Sequence, residues 1–249
     1  MKQLEVRGVS KTFDGKPVLD NISITLHEGE LVCLLGISGG GKTTLFNIIS
    51  GLLIPDEGQV LLDGEDITGK PGRISYMLQK DLLLPYRTIE DNVALPLILK
   101  GSKKAEARAQ ASALFSEFGL EGTQKQYPAQ LSGGMRQRAA LLRTYLFSQD
   151  VALLDEPFSA LDTLTKGSIH RWYLDVMDRI KLSTFFITHD IDEAILLSDR
   201  IYLLTGQPGR IADEIVIKEP KPRRADFNLT TEFLEYKKEI LEKLGSINS

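Results

Sequence analysis

Apolar residues occur along the chain in short segments of two kinds. Segments 3–8, 22–26 and 59–62 have the composition of strands, and Asp-Gly pairs at 14–15 and 63–64 indicate turns beside them. We therefore predict an antiparallel sheet near the N-terminus.

The second kind consists of continuous apolar runs at 31–35, 151–154 and 184–187. These runs lack polar alternation, which is typical of strands buried on both faces of a parallel sheet. The pattern predicts an α/β fold at the centre of the chain. Cys33 is the single cysteine, so it forms neither an internal disulfide nor a multi-cysteine metal site, and its apolar run predicts a core position.

Helix-forming residues dominate the stretch from about 88 to 147, which predicts a helical subdomain. Within it, segment 103–118 has apolar residues at helical spacing, namely Ala107, Ala111, Leu114 and Phe118. This spacing supports the helical interpretation of the stretch.

The chain ends in a polar tail. We divide the chain into one domain at 1–218 and a tail at 219–249. Within the tail, segment 231–244 is amphipathic and predicts a helix. The basic residues at 221–224 are interpreted as a solvated face.

Charge and hydropathy limit the possible partners. The 249 residues include 30 Lys and Arg against 34 Asp and Glu, a net charge of −4, which gives no electrostatic footprint for a nucleic acid. No run approaches the ~18 to 20 apolar residues that a membrane-spanning helix needs. The first ten residues lack the apolar middle of a secretory signal, so we expect a cytoplasmic protein.

A glycine-rich segment, 36–43, fits the phosphate-binding pattern G-x-x-x-x-G-K-[ST] and is followed by a helical run at 44–53. Its backbone and the helix N-terminus would hold phosphate, Lys42 would reach the β and γ phosphates, and Thr43 would bind Mg²⁺. The alternative is a glycine-rich turn that binds nothing, but the preceding strand and following helix favour nucleotide. The predicted nucleotide-binding residues here are Gly36, Ser38, Gly39, Gly40, Gly41, Lys42, Thr43 and Thr44.

Two adjacent acids, Asp155 and Glu156, follow the apolar run 151–154. Asp155 would hold Mg²⁺, and Glu156 would act as general base on the attacking water. The pair could instead cap a helix or loop.

A third segment, Leu131-Ser132-Gly133-Gly134, opens a helical run. A serine and two glycines at a helix N-terminus form a possible second anion site, although Ser132 alone is also an ordinary N-cap. The order of the segments favours an anion site over an ordinary N-cap. This segment follows the phosphate loop by roughly ninety residues, and the pair of acids comes close behind it.

In that order of motifs, the chain resembles the ABC ATPases over about residues 4–215. The resemblance implies an α/β P-loop NTPase fold with a RecA-like parallel sheet core, an N-terminal antiparallel β subdomain and an inserted α-helical subdomain. It implies an ATP-hydrolysing subunit that uses ATP and Mg²⁺.

The resemblance also assigns roles to single residues. Gln79 would sense the γ-phosphate and metal, His189 would be the switch histidine at the γ-phosphate, and Asp162 would lie in the loop facing the opposite subunit. Phe13 corresponds to an aromatic residue that stacks on adenine, with a plain core residue as the alternative. The implied catalytic residues are Glu156, His189 and Gln79, and the implied Mg²⁺ ligands are Thr43, Gln79 and Asp155.

The surroundings of the histidines differ. His189 follows a predicted strand, which would deliver it to the sheet edge where ligands bind. Asp190 and Glu193 are predicted as the N-cap of the next helix and its reciprocal partner. His27 and His170 are expected to be ordinary surface or structural residues.

The same resemblance implies a homodimer, because in this family the signature residues Ser132, Gly133 and Gly134 of one subunit close over nucleotide held by the other. It further implies a separately encoded transmembrane permease, reached through Gln79 and segment 84–88, and an external solute-binding protein. The expected location is peripheral, on the inner face of the membrane.

Segments 83–95 and 208–211 resemble the corresponding segments in ATP-binding subunits of importers of nitrate, sulfonates, taurine and pyrimidine precursors of thiamine. Tyr86, Gly40 and Met77-Leu78 depart from the common pattern, which leaves the substrate open. A non-transport ABC protein acting on nucleic acid or the ribosome is less favoured, because paired ATPase halves and long coiled-coil insertions do not appear. A small kinase or GTPase is also less favoured, because the sequence LSGGMRQR at 131–138 has no role in those enzymes. A binding module that does not hydrolyse nucleotide would be expected to lack Glu156 or His189.

Overall fold

Two sheets form the framework of the computed structural model. It describes residues 3–37, 39–148, 150–159, 163–221, 223–224 and 226–245. The predicted site residues Ser38 and Asp162 lie outside the described residues.

The first sheet is antiparallel, in the order β2-β1-β4-β5. Its strands are β1 (Gln3–Phe13), β2 (Lys16–His27), β4 (Glu57–Leu62) and β5 (Glu65–Asp66). Asp14 and Gly15 join β1 to β2 with positive φ angles of 48° and 75°, as a two-residue hairpin turn of the primed type requires. The predicted N-terminal antiparallel sheet is confirmed, with strands longer than predicted.

The second sheet has six strands in the order β10-β9-β3-β8-β7-β6. They are β3 (Leu31–Gly36), β6 (Ser75–Met77), β7 (Val151–Asp155), β8 (Ser183–Thr188), β9 (Arg200–Thr205) and β10 (Arg210–Val216). All neighbouring pairs are parallel except β9 with β10. The predicted parallel core is therefore confirmed.

Strand β3 lies between two hydrophobic cores. Its odd-numbered residues Leu31, Cys33 and Leu35 pack among the helices on one face. Its even-numbered residues Val32 and Leu34 pack with the first sheet on the other face. Because successive side chains of a strand point to opposite faces, burial on both faces explains the absence of polar alternation. Burial raises the pKa of the Cys33 thiol.

Eight helices surround the sheets within the described ranges. They are α1 (Lys42–Ile49), α2 (Ile89–Val93), α3 (Leu95–Leu99), α4 (Lys104–Ala113), α5 (Gly133–Phe147), α6 (Thr163–Ile180), α7 (Ile191–Leu197) and α8 (Thr231–Gly245). Helices α2 to α5 form the predicted helical region. No helix in these ranges combines the length and apolar character needed to cross a bilayer.

Two helices end earlier than the sequence pattern indicates. Helical spacing extends over 103–118, but the helix itself stops at Ala113, and the chain then turns as far as Gly119, whose φ is +64°. Phe118 is nevertheless fully buried. The helical spacing of the apolar residues therefore predicted which residues are buried, but not where the helix ends. The predicted helix over 44–53 ends at Ile49, just before Gly51 with φ +77°.

The C-terminal tail packs on the domain. Phe233 and Ile240 of α8 are buried in the core. Arg223 donates hydrogen bonds to the carbonyl oxygens of Leu196 and Ser198 at the end of α7. The predicted solvated face is therefore wrong for Arg223, because helix-terminal carbonyls need donors and recruit its guanidinium. Burial lowers the pKa of Arg223 to about 10.

Candidate nucleotide-binding site

The glycine-rich loop joins the C-terminal end of β3 to the start of α1. A Cβ atom on Gly36 would lie 2.5 Å from the Leu204 carbonyl oxygen of β9, so this position requires glycine. Gly39 and Gly41 have φ angles of +82° and +91°, which L-residues with side chains rarely adopt. A Cβ on Gly41 would also meet Leu19 Cδ2 at 2.7 Å. Backbone conformation and close packing both explain these glycines.

Lys42 is held inside this loop. Its Nζ atom donates to the carbonyl oxygens of Gly36 and Ile37, each at 2.8 Å, and the residue is 7% exposed. Burial lowers the pKa of Lys42, while Glu156 and Asp155 act in the opposite direction. A phosphate oxygen is a stronger acceptor for an ammonium group than a neutral carbonyl, so the lysine is placed to exchange one for the other.

Asp155 ends β7 and is buried next to the loop. Its Oδ2 atom accepts hydrogen bonds from Thr43 Oγ1 at 3.3 Å and from the Tyr76 hydroxyl at 3.4 Å. Burial raises the pKa of Asp155, and the hydrogen bonds from Thr43 and Tyr76 oppose that effect only in part. Mg²⁺ prefers oxygen ligands, and the Asp155 carboxylate and the Thr43 hydroxyl supply such oxygens, so the two residues fit this ion.

Glu156 adopts an unusual backbone conformation, with φ +46°. Its N–H donates to the Ile187 carbonyl at 3.1 Å, and its own carbonyl accepts from the Ser159 backbone N–H and hydroxyl. Left-handed backbone in a residue other than glycine costs about 1 to 3 kcal/mol and is concentrated at functional sites.

The Glu156 carboxylate lies between two predicted catalytic residues. Gln79 Nε2 donates to its Oε2 atom at 3.1 Å, and His189 Nδ1 lies 3.2 Å from its Oε1 atom. Gln79 follows β6, Glu156 follows β7 and His189 follows β8. Parallel strands have their carboxyl ends at one edge of the sheet, and this topology brings the three side chains together.

A cavity of about 310 Å³ adjoins these groups. Its lining residues are Val18, Gly39, Gly41, Lys42, Thr43, Thr44, Gln79, Asp155 and Glu156. All except Val18 were predicted from the sequence. Gly40 is buried beside this cavity, and its N–H donates to the Ile37 carbonyl at 3.3 Å.

Phe13 lies at the end of β1 and is 43% exposed. Its ring has Lys11 Nζ at 5.5 Å from the centroid. The alternative of a plain core residue is therefore wrong, and an exposed aromatic face remains available to a flat ligand.

The signature residues lie apart from this cavity in the single chain. Ser132 is the N-cap of α5, where its hydroxyl accepts from the Met135 N–H at 3.3 Å, and it is exposed. Gly133 and Gly134 open the same helix, and none of the three lines the cavity. Ser132 is thus the N-cap of α5, and because Ser132 is exposed, the N-terminus of this helix is accessible.

The residues that follow His189 differ in part from the interpretation of the sequence, which made Asp190 an N-cap and Glu193 its reciprocal partner. Asp190 is the N-cap of α7, accepting from the N–H groups of Asp192 and Glu193 at 3.0 and 3.2 Å, as predicted. Glu193 does not reciprocate: its carboxylate accepts from Thr188 and Lys166 instead. The Thr188 hydroxyl accepts from the Asp190 N–H, which leaves Glu193 free to pair elsewhere.

The two other histidines agree with their predicted roles. His27 is exposed, and His170 is buried with its ring edge against Phe158. Sequence reasoning missed Tyr76 as a partner of Asp155, although its position three residues before Gln79 on a short strand places it at the same sheet edge.

Comparison with known proteins agrees with this geometry. The sequence pattern of the family described as ABC transporter matches residues 19–159. The formylaminopyrimidine import ATP-binding protein ThiZ of Halalkalibacterium halodurans is 44% identical over 227 residues, which covers 91% of this chain and 88% of that protein. The nitrate import ATP-binding protein NrtD of Synechocystis sp. is 37% identical over 247 residues, covering 95% and 93% respectively.

The fold is similar to that of a solved structure, the dimeric structure of MJ0796, a bacterial ABC transporter cassette. The TM-score is 0.73 at 30% sequence identity, and the match covers 86% of this chain and 99% of that one. The predicted P-loop NTPase fold and the resemblance to the importer group are both confirmed. The chain therefore belongs to the ABC transporter family, as an ATP-binding subunit whose ATPase activity is coupled to transport.

Proposed function

We propose that this chain energises a separate transmembrane permease for the import of a small molecule. The observation that carries the proposal is the position of Glu156 between Gln79 and His189, beside a cavity bounded by Lys42. A general base, two polar groups and a phosphate-binding lysine are the parts that ATP hydrolysis requires.

Each residue has a defined part in the proposed reaction. The 36–44 loop and Lys42 bind the phosphates, and Phe13 stacks on adenine. Thr43, Gln79 and Asp155 would hold Mg²⁺, which would neutralise charge on the phosphate oxygens.

Hydrolysis then depends on Glu156 and His189. Glu156 accepts a proton from water as the water oxygen bonds to the γ-phosphorus and the bond from that phosphorus to the β–γ bridging oxygen breaks. His189 contacts the γ-phosphate and limits the freedom of the Glu156 carboxylate, which it meets at 3.2 Å.

Two chains complete each site in this proposal. The N-terminus of α5, with Ser132, Gly133 and Gly134, binds the nucleotide of the partner subunit, and the loop containing Asp162 contacts that subunit. Its support is the accessible α5 terminus, which lies outside its own chain's cavity, and the dimeric state of the similar MJ0796 cassette. ATP closes the dimer, and loss of the γ-phosphate opens it.

An apolar groove supports the permease assignment. It encloses about 340 Å³ between segment 71–76 and helices α3 and α5, with Leu52, Ile74, Leu95, Leu99 and Phe147 among its lining residues. Tyr86, in the segment 84–88, is 93% exposed. Exposed apolar surface of this kind marks protein interfaces. We assign it to a cytoplasmic segment of the permease, which locates the chain on the inner face of the membrane.

An external solute-binding protein completes the proposed system. Names of relatives refer to formylaminopyrimidine and nitrate, which makes those compounds, sulfonates and taurine the substrates to test. The permease and the binding protein, rather than this chain, contact the substrate.

The test of the ATPase mechanism is the mass of purified Glu156→Gln protein in solution, with and without MgATP. We expect the variant to bind ATP, to lose hydrolysis by at least about a hundredfold, and to shift from monomer to dimer when ATP is added. Lys42→Ala, as the control, should show neither tight nucleotide binding nor the mass shift. A Glu156→Gln protein that hydrolyses ATP at the wild-type rate would overturn the assignment of the base.

The test of import uses the chain assembled with its permease in vesicles. ATPase activity is measured while nitrate, sulfonates, taurine and formylaminopyrimidine are supplied with the binding protein on the external side. One compound should stimulate the rate. A flat response to all of them would overturn the assignment to this importer group.

A further inference from the structure

A buried polar cluster lies behind His189. Its centre is Glu193, on the first turn of α7 and 3% exposed. Glu193 Oε2 accepts from Thr188 Oγ1 at 2.7 Å, and Glu193 Oε1 accepts from Lys166 Nζ at 2.7 Å. A buried carboxylate persists only when it is paired and hydrogen-bonded, and here it is both.

The two residues that flank His189 are both tied to this cluster. Thr188 donates its hydroxyl hydrogen to Glu193 and accepts from the Asp190 N–H at 3.1 Å. The Asp190 carboxylate lies 3.4 Å from Lys166 Nζ. His189 itself is 56% exposed and reaches Glu156 across 3.2 Å. Because more than half of the imidazole is exposed rather than packed, the position of the backbone sets where the ring can reach Glu156.

The cluster also contacts the helix that follows the proposed dimer loop. Lys166 and His170 lie one turn apart on α6, which begins at Thr163. His170 Nε2 is 3.6 Å from Glu193 Oε1, and the His170 ring meets Phe158 edge-on with centroids 4.8 Å apart. Phe158 is two residues beyond Glu156. Glu193 is thus connected to the segments that follow both β7 and β8.

We propose that Glu193 is a positioning residue for ATP hydrolysis, which holds segment 188–190 so that His189 meets Glu156, and which links that segment to α6 through Lys166. The inference rests on the proposed function, in which His189 and Glu156 act on ATP. Burial alone would raise the pKa of Glu193, but the nearby His170 ring and the hydrogen bonds from Lys166 and Thr188 hold it at about 2, so the group stays charged at neutral pH.

The first test compares Glu193→Gln with Asp192→Asn. Glutamine can still accept from Thr188 but cannot neutralise Lys166. Asp192 is the matched control, because it is the adjacent acid of α7 and pairs at the surface with Lys237 at 2.6 Å. We expect Glu193→Gln to lower kcat about tenfold with KM for ATP within about twofold, since small misplacements of a reacting group cost this much. Asp192→Asn should change neither by more than about twofold.

A purely structural role for Glu193 would give a different result. In a His189→Ala background, Glu193→Gln should lower the residual kcat no further, because its effect acts through His189. A second tenfold loss in that background, or an unchanged kcat in the single variant, would overturn the proposal. If Glu193→Gln does not fold, Thr188→Val removes the other link, the hydrogen bond from Thr188 to Glu193, with a side chain of the same shape, and it should also lower kcat about tenfold.

A second readout does not depend on turnover. The chain has three histidines, so ¹⁵N-histidine NMR resolves them, with His189→Ala identifying the resonance of interest. Glu193→Gln should shift the His189 Nδ1 resonance and leave that of His27 unchanged. An unshifted His189 signal in a folded variant would overturn the positioning role, whereas a wild-type chain without ATPase activity would overturn the proposed function alone.

Discussion

The Tyr76 hydroxyl donates a hydrogen bond to Asp155 Oδ2 across 3.4 Å. Tyr76 also lines the apolar groove that we assign to the permease. One side chain therefore contacts both the carboxylate proposed to hold Mg²⁺ and the proposed docking surface, so a ligand in the groove and a metal at Asp155 share a neighbour.

Substitution of Tyr76 by phenylalanine tests this link. Phenylalanine keeps the ring, which packs against Phe46 with centroids 6.0 Å apart, and removes the donor to Asp155. Because hydrogen bonds to a metal-binding carboxylate orient it, the Mg²⁺ concentration for half-maximal ATPase activity should rise roughly tenfold. Nucleotide binding measured without Mg²⁺ should stay the same. An unaltered Mg²⁺ dependence would show that the hydroxyl does not orient Asp155.

Gly41→Ala tests the loop geometry. The added Cβ meets Leu19 at 2.7 Å in a backbone conformation of φ +91°, so the loop must move. We expect ATP affinity to fall by at least about tenfold, as for a displaced phosphate-binding backbone. Gly101→Ala is the matched control, because Gly101 has φ +97° and no atom within 4 Å of an added Cβ. It should cost about 1 kcal/mol of stability and leave ATP binding intact, and equal losses of affinity in both variants would contradict the packing argument.

The Glu193 carboxylate predicts a dependence of stability on acid. Its pKa is about 2 in the folded chain, below the ordinary 4.5, so the folded state binds fewer protons than the unfolded state. This depression corresponds to stabilisation on the order of 3 kcal/mol, fully present above pH 4.5 and lost progressively as the pH falls toward 2. The free energies of unfolding in urea for wild type and Glu193→Gln should differ most at pH 7, and the difference should shrink steadily as the pH falls below 4.5 toward 2. A difference that is constant with pH would contradict this expectation.

Arg223 should stabilise the end of α7. Replacing it by methionine leaves the carbonyls of Leu196 and Ser198 without their donor, which should lower the free energy of unfolding by about 2 kcal/mol. Amide hydrogen exchange should accelerate in α7 before it does in α1. Arg224→Met is the control, because Arg224 is exposed and pairs with Glu219 at the surface, so little change is expected. Equal effects of the two substitutions would show that the helix-end contact has no special weight.

Much of the fold was predictable because local pattern and tertiary context agree. The run 31–35 is apolar at every position, and the strand it predicts is buried on both faces. The site residues Gly39, Lys42, Asp155 and Glu156 were predictable because phosphate and metal chemistry restricts residue type and spacing.

Side-chain partners were not predictable, since they depend on competition among groups that are distant in sequence. Glu193 has the spacing of a capping box, yet Thr188 supplies the acceptor for the cap and Lys166 captures the carboxylate. Arg223 appears in a basic run, yet its guanidinium donates hydrogen bonds to carbonyl oxygens at the end of α7. Neither competitor is visible in the local pattern, because Lys166 and Leu196 are each more than twenty residues away.

The order of strands around β3 has a consequence for synthesis of the chain. A ribosome makes the loop 36–43 early, but both neighbours of β3 in the sheet, β8 and β9, are encoded after residue 182. A nascent chain that stops at residue 182 has the complete loop, but its strand β3 has no partner strand on either edge. Such long-range pairing forms late and slowly. Until β8 and β9 have been made, both edges of β3 present unpaired backbone N–H and C=O groups, so the intermediate needs protection from aggregation through strand pairing with other chains.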